Sequence, residues 1–254
     1  MKLRFVSDLH LEFNYEPEVV DSFIPHMDTD SETILALLGD IHVGKEVVPY
    51  LDEMSKRFKY VIYILGNHEF YNNKFYDLKN QLLDKTFHIP NLHIIEDGTV
   101  ILDGQKFVGC TLWSDMEGGR EGSILNVGKG LNDYFRIMGT DGRRLTTKET
   151  INAHEYSIEY LKKYVDEDTV VLTHHAPSIG LSDPQFKNSP IKGGFESDLM
   201  DLILETRPKY WLYGHTHFNK GESIIENTTL LSNQLGYIDM GEKLNYNPKL
   251  ILDI

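Results

Sequence analysis

The chain has 254 residues, 41% of them hydrophobic and 25% charged, with a formal net charge of −14. That composition is too apolar for a disordered chain, and the length suits one large α/β domain spanning 1–254. So acidic a balance argues against a general nucleic-acid or anionic-membrane surface, since both need clustered lysine and arginine. No stretch reaches the ~18 consecutive apolar residues of a membrane span, and MKLRFVSDLH lacks the apolar core of a leader, so a soluble cytoplasmic protein is expected. The single cysteine, Cys110, lies inside KFVGCTLW and reads as a buried small residue.

In chain order, KLRFVS (2–7), TILALL (33–38) and KYVIYIL (59–65) predict short buried strands, being rich in β-branched and aromatic residues. EVVPYLDEMSKRF (46–58) puts Val47, Leu51, Met54 and Phe58 on one helical face, with Pro49 tolerable in the first turn. Residues 71–85 repeat that periodicity through Phe75, Leu78 and Leu82. LHIIEDGTVILDGQKFVGCTLW (92–113) carries two Asp-Gly pairs between apolar runs, the turn chemistry of hairpins. Thr146 and Glu149 predict a capping box opening a helix over 146–165, striped by Ile151, Ile158, Leu161 and Val165. TVVLT (169–173) and KYWLY (209–213) predict two further buried strands, with a helix over 196–206 between them, and SIIENTTLLSN (223–233) predicts a strand pair.

Each of the five buried runs ends in residues able to bind metal. They are followed by Asp8-Leu9-His10, Gly39-Asp40, Gly66-Asn67-His68-Glu69, His174-His175 and Gly214-His215-Thr216-His217. Loops leaving the carboxyl ends of strands in an α/β sheet converge on one crevice, so five separate stretches can build one site. Extended alternation would point Asp8 and His10 the same way, and likewise His215 and His217. Imidazole, carboxylate and one amide, without thiolate, suit manganese first, with iron, zinc, nickel or cobalt as alternatives. Seven candidate ligands, Asp8, His10, Asp40, Asn67, His174, His215 and His217, are too many for one catalytic ion and fit a pair. Of the adjacent histidines, His174 is favoured because it follows the apolar run directly. His26, His88 and His93 read as structural or exposed, His42 as a loop residue and His154 as a packed or surface helix residue.

The ordered set DLH, GD, GNHE, a histidine after a strand, and GHTH resembles the signature of the calcineurin-like metallophosphoesterases. The resemblance implies a four-layer α/β/β/α sandwich of two mixed sheets flanked by helices, with two divalent ions at the strands' carboxyl ends. Carried over by motif, it implies that Asp8, His10 and His217 hold one ion, that Asn67, His174 and His215 hold the other, and that Asp40 bridges both. It implies hydrolysis of a small phosphoester, a phosphodiester or phosphomonoester, by a metal-bridging hydroxide with His68 as general acid. TLWSD (111–115), LNDYFRI (131–137), THHAPS (173–178) and FESDL (195–199) look like a bacterial subgroup of phosphoesterases whose substrates are mostly undefined. The Ser/Thr protein phosphatase branch has GD-x-x-DRG and an arginine before the third motif. Here GDIHVGKE puts Val43 at the second aspartate, and ILGNHE lacks the arginine, so that branch is disfavoured and His68 needs another partner.

Two other classes use the same residues differently: a nuclease or cyclic-nucleotide phosphodiesterase, and a non-catalytic metal-binding scaffold. The acidic charge lowers the first as a nucleic-acid enzyme, and the full ligand set lowers the second. Residues 113–150 hold seven of the 20 glycines and balance six acidic against six basic residues. They are expected to form a lid that sets substrate choice, with Arg120, Lys129, Arg136, Arg143 and Arg144 as candidates to meet phosphate.

Overall fold

Short β-branched runs flanked by glycine favour strands over helices, and all five predicted buried runs are strands. The computed structural model describes residues 1–254 and contains β1 (Lys2–Val6), β2 (Ile34–Leu38), β3 (Tyr60–Ile64), β4 (Leu92–Ile94), β5 (Gly98–Leu102), β6 (Gln105–Cys110), β7 (Thr169–Thr173), β8 (Tyr210–Tyr213), β9 (Ser223–Ile225), β10 (Thr228–Ser232) and β11 (Leu252–Asp253). The helices are α1 (Pro17–Phe23), α2 (Val48–Arg57), α3 (Leu78–Thr86), α4 (Met116–Gly119), α5 (Glu121–Gly130), α6 (Asp133–Arg136), α7 (Thr147–Tyr164) and α8 (Met200–Thr206). No helix is long and apolar enough to cross a membrane.

One sheet has the order β11-β1-β2-β3-β4 and the other β5-β6-β7-β8-β10-β9. Strands β1 to β4 run parallel, as do β6, β7, β8 and β10, while β11, β5 and β9 are antiparallel edges. Side-chain alternation along the strands divides the core into layers. Leu3, Phe5, Ala36 and Ile62 of the first sheet meet Phe107, Val170, Leu172 and Leu212 of the second between the sheets. On the outer faces, Leu35, Leu37, Val61 and Tyr63 join a core with Leu51 and Met54 of α2 and Leu78 and Leu82 of α3. Val108, Val171 and Trp211 join another with Leu161 of α7 and Leu202 and Ile203 of α8. The result is the four-layer α/β/β/α sandwich, and Cys110 is buried in its second outer layer.

Pro49 falls in the first turn of α2, and Thr146 with Glu149 forms the capping box of α7. Three boundaries differ from expectation. The helix expected over 71–85 begins only at Leu78, because Asn72 takes a left-handed φ of 61° and the N–H groups of Asn72 and Phe75 donate to the carbonyls of Arg136 (2.7 Å) and Met138 (2.9 Å). The helix expected over 196–206 begins at Met200, since the Ser197 and Leu199 N–H groups are bound by Ala176 and Pro177 carbonyls. Only one of the two Asp-Gly pairs closes a hairpin: Asp103-Gly104 joins β5 to β6, whereas Asp97 carries the chain from β4 in one sheet to β5 in the other.

Candidate metal centre

The carboxyl ends of β1, β2, β3, β7 and β8 meet at one end of the sandwich. There Ser7 pairs with Gln234, stitching the end of β1 to the segment after β10. The chain does not leave these strands in extended form. Asp8, His10, Asp40, His215 and His217 all have φ between 48° and 71°, so their convergence comes from left-handed turns rather than from strand alternation. Five non-glycine residues in that sparsely populated region mark a functional site, where local strain is tolerated because the surrounding packing fixes it.

Two groups of donors result. Asp8, His10, Asp40 and His217 form one, all buried or nearly so, with ligand atoms within 4.8 Å of one another. His10 Nε2 lies 3.1 Å from His217 Nε2, and His217 Nε2 lies 3.2 Å from Asp8 Oδ1. In the second, His174 Nε2 lies 3.0 Å from Asn67 Oδ1 and 3.3 Å from Asp40 Oδ1. Asp40 belongs to both: its Oδ2 is 3.9 Å from His10 Nε2 and its Oδ1 faces His174. His215 lies beside His174, with ring centroids 4.9 Å apart.

The hydrogen bonds behind these atoms decide what they can bind. His10 Nδ1 faces Glu12 (3.1 Å), His217 Nδ1 faces Glu242 (2.5 Å) and His174 Nδ1 faces the Leu38 carbonyl (2.8 Å). Each acceptor fixes the proton on Nδ1 and leaves the Nε2 lone pair pointing inward. His215 is the reverse: its Nε2 faces the Gly194 carbonyl (3.2 Å), which leaves Nδ1 as the donor atom. Asn67 donates through Nδ2 to Asp133 (2.9 Å), so its Oδ1 also points inward. Imidazole lone pairs, carboxylates and an amide oxygen therefore crowd together without protons between them. Such a set repels itself unless cations sit among its members or the imidazoles take up protons, and it fits divalent ions well.

The electrostatics agree. Burial lowers the His174 and His217 pKa values, but Asp40 around the first and Asp8 and Glu242 around the second outweigh it and raise them to about 9 and about 10. Burial would raise Asp40, yet His174, His68 and His10 hold it well below the usual carboxylate range. His175 belongs with His174 and His215 to a set whose ligand atoms lie within 4.8 Å of one another. Its Nδ1 faces the Thr111 carbonyl (3.1 Å), its ring lies against Trp113 and His215, and burial keeps it neutral; unlike His174 it has no contact to Asp40 or Asn67 within hydrogen-bond range. His42 turns Nδ1 back to its own Val43 N–H, and His154 is buried with Nδ1 on the Leu112 carbonyl; neither joins a donor group. His26 and His88 are exposed, and His93 is half-buried beside Tyr60, away from the site.

His68 stands at the edge of both groups, with Nε2 3.9 Å from Asp40 Oδ2. The partner missing from its sequence motif is Glu12, whose Oε1 lies 2.7 Å from His68 Nδ1. Burial would raise Glu12, but its hydrogen bonds to His10 and His68 outweigh that and hold it down to about 2, so it remains a carboxylate. Burial lowers the His68 pKa, while Asp40 and Glu12 together raise it above its ordinary value. The Tyr237 hydroxyl lies 3.3 Å from His68 Nε2. Replacing Glu12 with Gln should lower kcat by about 10- to 100-fold, the usual cost of losing an outer-shell partner. Because that change removes a charge that raises the His68 pKa, the alkaline limb of the kcat/KM profile should move to lower pH; an unmoved limb would remove Glu12 from this role.

Five residues of the site lie outside the predicted set: Glu12, Asp133, Glu242, Glu69 and Tyr237. Glu12 was visible as the acid of DLHLE and Asp133 as the acid of LNDYFRI, but nothing local says what either faces. Glu69, fully buried, accepts from the N–H groups of Asp40 (2.9 Å), Ile41 (2.8 Å) and Gly66 (2.7 Å) and from the Tyr63 hydroxyl (2.8 Å), clamping the second and third motifs together. That clamp explains Gly66. A Cβ there would run into Asp40 Oδ1 and lie 2.5 Å from the Asp40 nitrogen and 2.8 Å from His174 Cε1. Gly66→Ala should therefore displace Asp40 and weaken metal binding by at least tenfold, measurable by titration of the stripped protein.

A cavity of about 570 Å³ opens from Asp40, Asn67, His68, His215 and His217. Of the 113–150 segment, which folds into α4, α5, α6 and the start of α7, only Gly130 to Asp133 line it. Arg120, Lys129, Arg136, Arg143 and Arg144 do not; Arg120 pairs with Glu117, Arg143 with Asp141, and Arg136 lies 4.9 Å over the Tyr71 ring.

A mixed-sheet sandwich with two histidine-carboxylate groups sharing one aspartate at its strand ends defines a metallophosphoesterase type of centre. The signature of the family described as calcineurin-like phosphoesterase matches residues 1–219, and the chain belongs to that family. It is 32% identical to a protein of Acanthamoeba polyphaga mimivirus, named uncharacterized protein L509, over 277 aligned positions covering 99% of this chain and 96% of that one. Its fold is similar to that of phosphopantetheinyl hydrolase from Mycobacterium tuberculosis, with a TM-score of 0.72 and 16% identity over 96% of this chain and 92% of the other. Tyr237 and Glu242 lie beyond the matched 1–219 and reach the centre from the C-terminal segment.

Proposed function

We propose that the chain is a dinuclear-metal-dependent phosphoester hydrolase. The observation that carries the reading is the convergence of lone pairs whose tautomers are fixed from behind by Glu12, Glu242, Leu38 and Gly194. Asp8, His10 and His217 would hold one ion, Asn67, His174 and His215 the other, with Asp40 shared. When bound, the ions supply a nucleophile at neutral pH and Lewis acidity toward the phosphoryl oxygens. His68, with its proton-bearing form favoured by Asp40 and Glu12, gives a proton to the leaving oxygen. Glu12 holds the His68 ring through Nδ1, which leaves Nε2 facing the cavity. Asp133 holds the amide of Asn67.

A small phosphoester is favoured over nucleic acid as the substrate, because a chain of charge −14 offers no general attraction to a polyanion; a nuclease is the alternative, marked by salt-dependent DNA binding. The subgroup motifs support a shared specificity, since Trp113, Asp133, His174 and Glu196 from four of them lie at or beside the centre. Given the whole-chain likeness in fold, a phosphopantetheinyl ester belongs in the first substrate panel. The test is turnover of bis(p-nitrophenyl) phosphate and p-nitrophenyl phosphate by chelator-stripped protein before and after Mn²⁺ is restored. Turnover that returns with the ion supports the reading, with diester preference marking a phosphodiesterase. Equal turnover with and without the chelator would overturn it.

A further inference from the structure

The segment after β10 brings a side chain to the centre that none of the five strand ends supplies. The N–H groups of Leu235 and Gly236 donate to the carbonyls of Ser7 and Asp8 (3.1 Å each), and Gln234 Oε1 accepts the His217 N–H (2.7 Å). Gly236 has a φ of 69°, and a Cβ on it would lie 2.9 Å from Glu242 Cβ and 3.1 Å from His217 Cβ, so the chain passes closer here than a larger residue allows. Glu242 Oε2 faces His217 Nδ1 (2.5 Å) and also accepts the Tyr237 N–H (2.9 Å). One carboxylate therefore fixes both a candidate metal ligand and the backbone of Tyr237.

The Tyr237 ring lies 4.6 Å from the rings of His10 and His217, and the residue lines the cavity. Two tyrosines flank His68, and they differ in what their hydroxyls meet. Tyr71, whose ring is 4.2 Å from that of His68, donates to Asp133 (2.9 Å). The Tyr237 hydroxyl meets only His68 Nε2 (3.3 Å), with no carboxylate or carbonyl within hydrogen-bond range. Glu12 fixes one proton on His68 Nδ1, so the general-acid form of the ring carries a second proton on Nε2. Two donors cannot satisfy each other. The Tyr237 oxygen accepts from Nε2, and its own proton is left without a protein acceptor beside the converging donor groups. Other donors for a phosphoryl oxygen are few. No arginine lines the cavity, and its two lysines, Lys187 and Lys192, come from the stretch between β7 and α8 rather than from the segments that carry the donor groups.

The geometry points to Tyr237 as a catalytic residue whose hydroxyl donates a hydrogen bond to a non-bridging oxygen of the phosphoryl group under attack. This rests on the reading of the centre as a phosphoesterase. Charge on that oxygen is held by a donor already in place, so the contact contributes most in the transition state. The test compares Tyr237→Phe with the parent, both as Mn²⁺-loaded full chains, on bis(p-nitrophenyl) phosphate against diphenyl phosphate and on p-nitrophenyl phosphate against phenyl phosphate. The substitution keeps the ring that packs on His10 and His217 and removes one oxygen. Expected is a fall in kcat of about 10²- to 10³-fold, the scale of one lost oxyanion donor, and equal within each pair because the contact is not to the leaving oxygen. Bound ion per chain should not change, and orthovanadate, which mimics five-coordinate phosphorus, should inhibit the variant about tenfold more weakly. A kcat equal to the parent's would overturn the inference and leave the phosphoesterase reading standing. So would a loss much larger on the phenyl esters, which makes Tyr237 a positioning residue for His68, or a loss of bound ion, which makes it structural. Silence of the parent on all four esters would overturn both.

Discussion

Asp40→Ala should release both ions and abolish turnover together. Asp40 is 1% exposed and touches each donor group, with His174 at 3.3 Å from one oxygen and His10 at 3.9 Å from the other. The same carboxylate accepts the His68 N–H (2.9 Å), so its loss also frees the backbone that carries the general acid. Removing it takes a negative charge from the middle of a cluster whose imidazoles it balances. The variant should bind Mn²⁺ too weakly for either ion to be retained through gel filtration, and kcat should fall to the level of chelator-treated protein. Thermal unfolding gives an independent reading. At a Mn²⁺ concentration a hundred times its Kd the parent should gain about 2.7 kcal/mol from binding, whereas the variant should gain almost nothing. Normal turnover in Asp40→Ala would sink the assignment of the shared ligand.

His68→Ala should separate chemistry from binding. General acid catalysis is worth roughly 10²- to 10⁴-fold, and the ring makes its closest contacts to Glu12 (2.7 Å) and Tyr237 (3.3 Å) rather than to the converging donor atoms. Both ions should therefore stay while kcat falls. The size of the fall should depend on the leaving group: an alkoxide needs a proton far more than p-nitrophenolate does, so an alkyl ester should lose much more than the chromogenic one. An equal loss on both would mean that His68 positions the phosphoryl group and donates no proton.

How much of this was legible depended on how local each cause was. The five strands and the residues directly after them could be read because a buried strand ends abruptly and the next one or two residues must enter the crevice. The reason first given for their convergence, extended alternation, was not the one the structure uses: Asp8, His10, His215 and His217 sit in left-handed turns. The pattern at Phe75 also misled, since its burial comes from a chain segment pinned to Arg136 and Met138 and not from a helix. Glu12, Asp133 and Glu242 act through contacts spanning 56, 66 and 25 residues of sequence, and no periodicity encodes such pairings. Asp97-Gly98 shows the same limit. Its turn chemistry is genuine, but whether it folds a strand back or passes it to a second sheet is decided by what packs on either side.

The most direct test of the account is to titrate chelator-stripped protein with Mn²⁺ while following bound ion and phosphodiester turnover in the same samples. Turnover should be absent at the start and saturate when two ions are bound per chain. Saturation with one ion bound, or two bound ions without hydrolysis of any phosphoester in the panel, would contradict it.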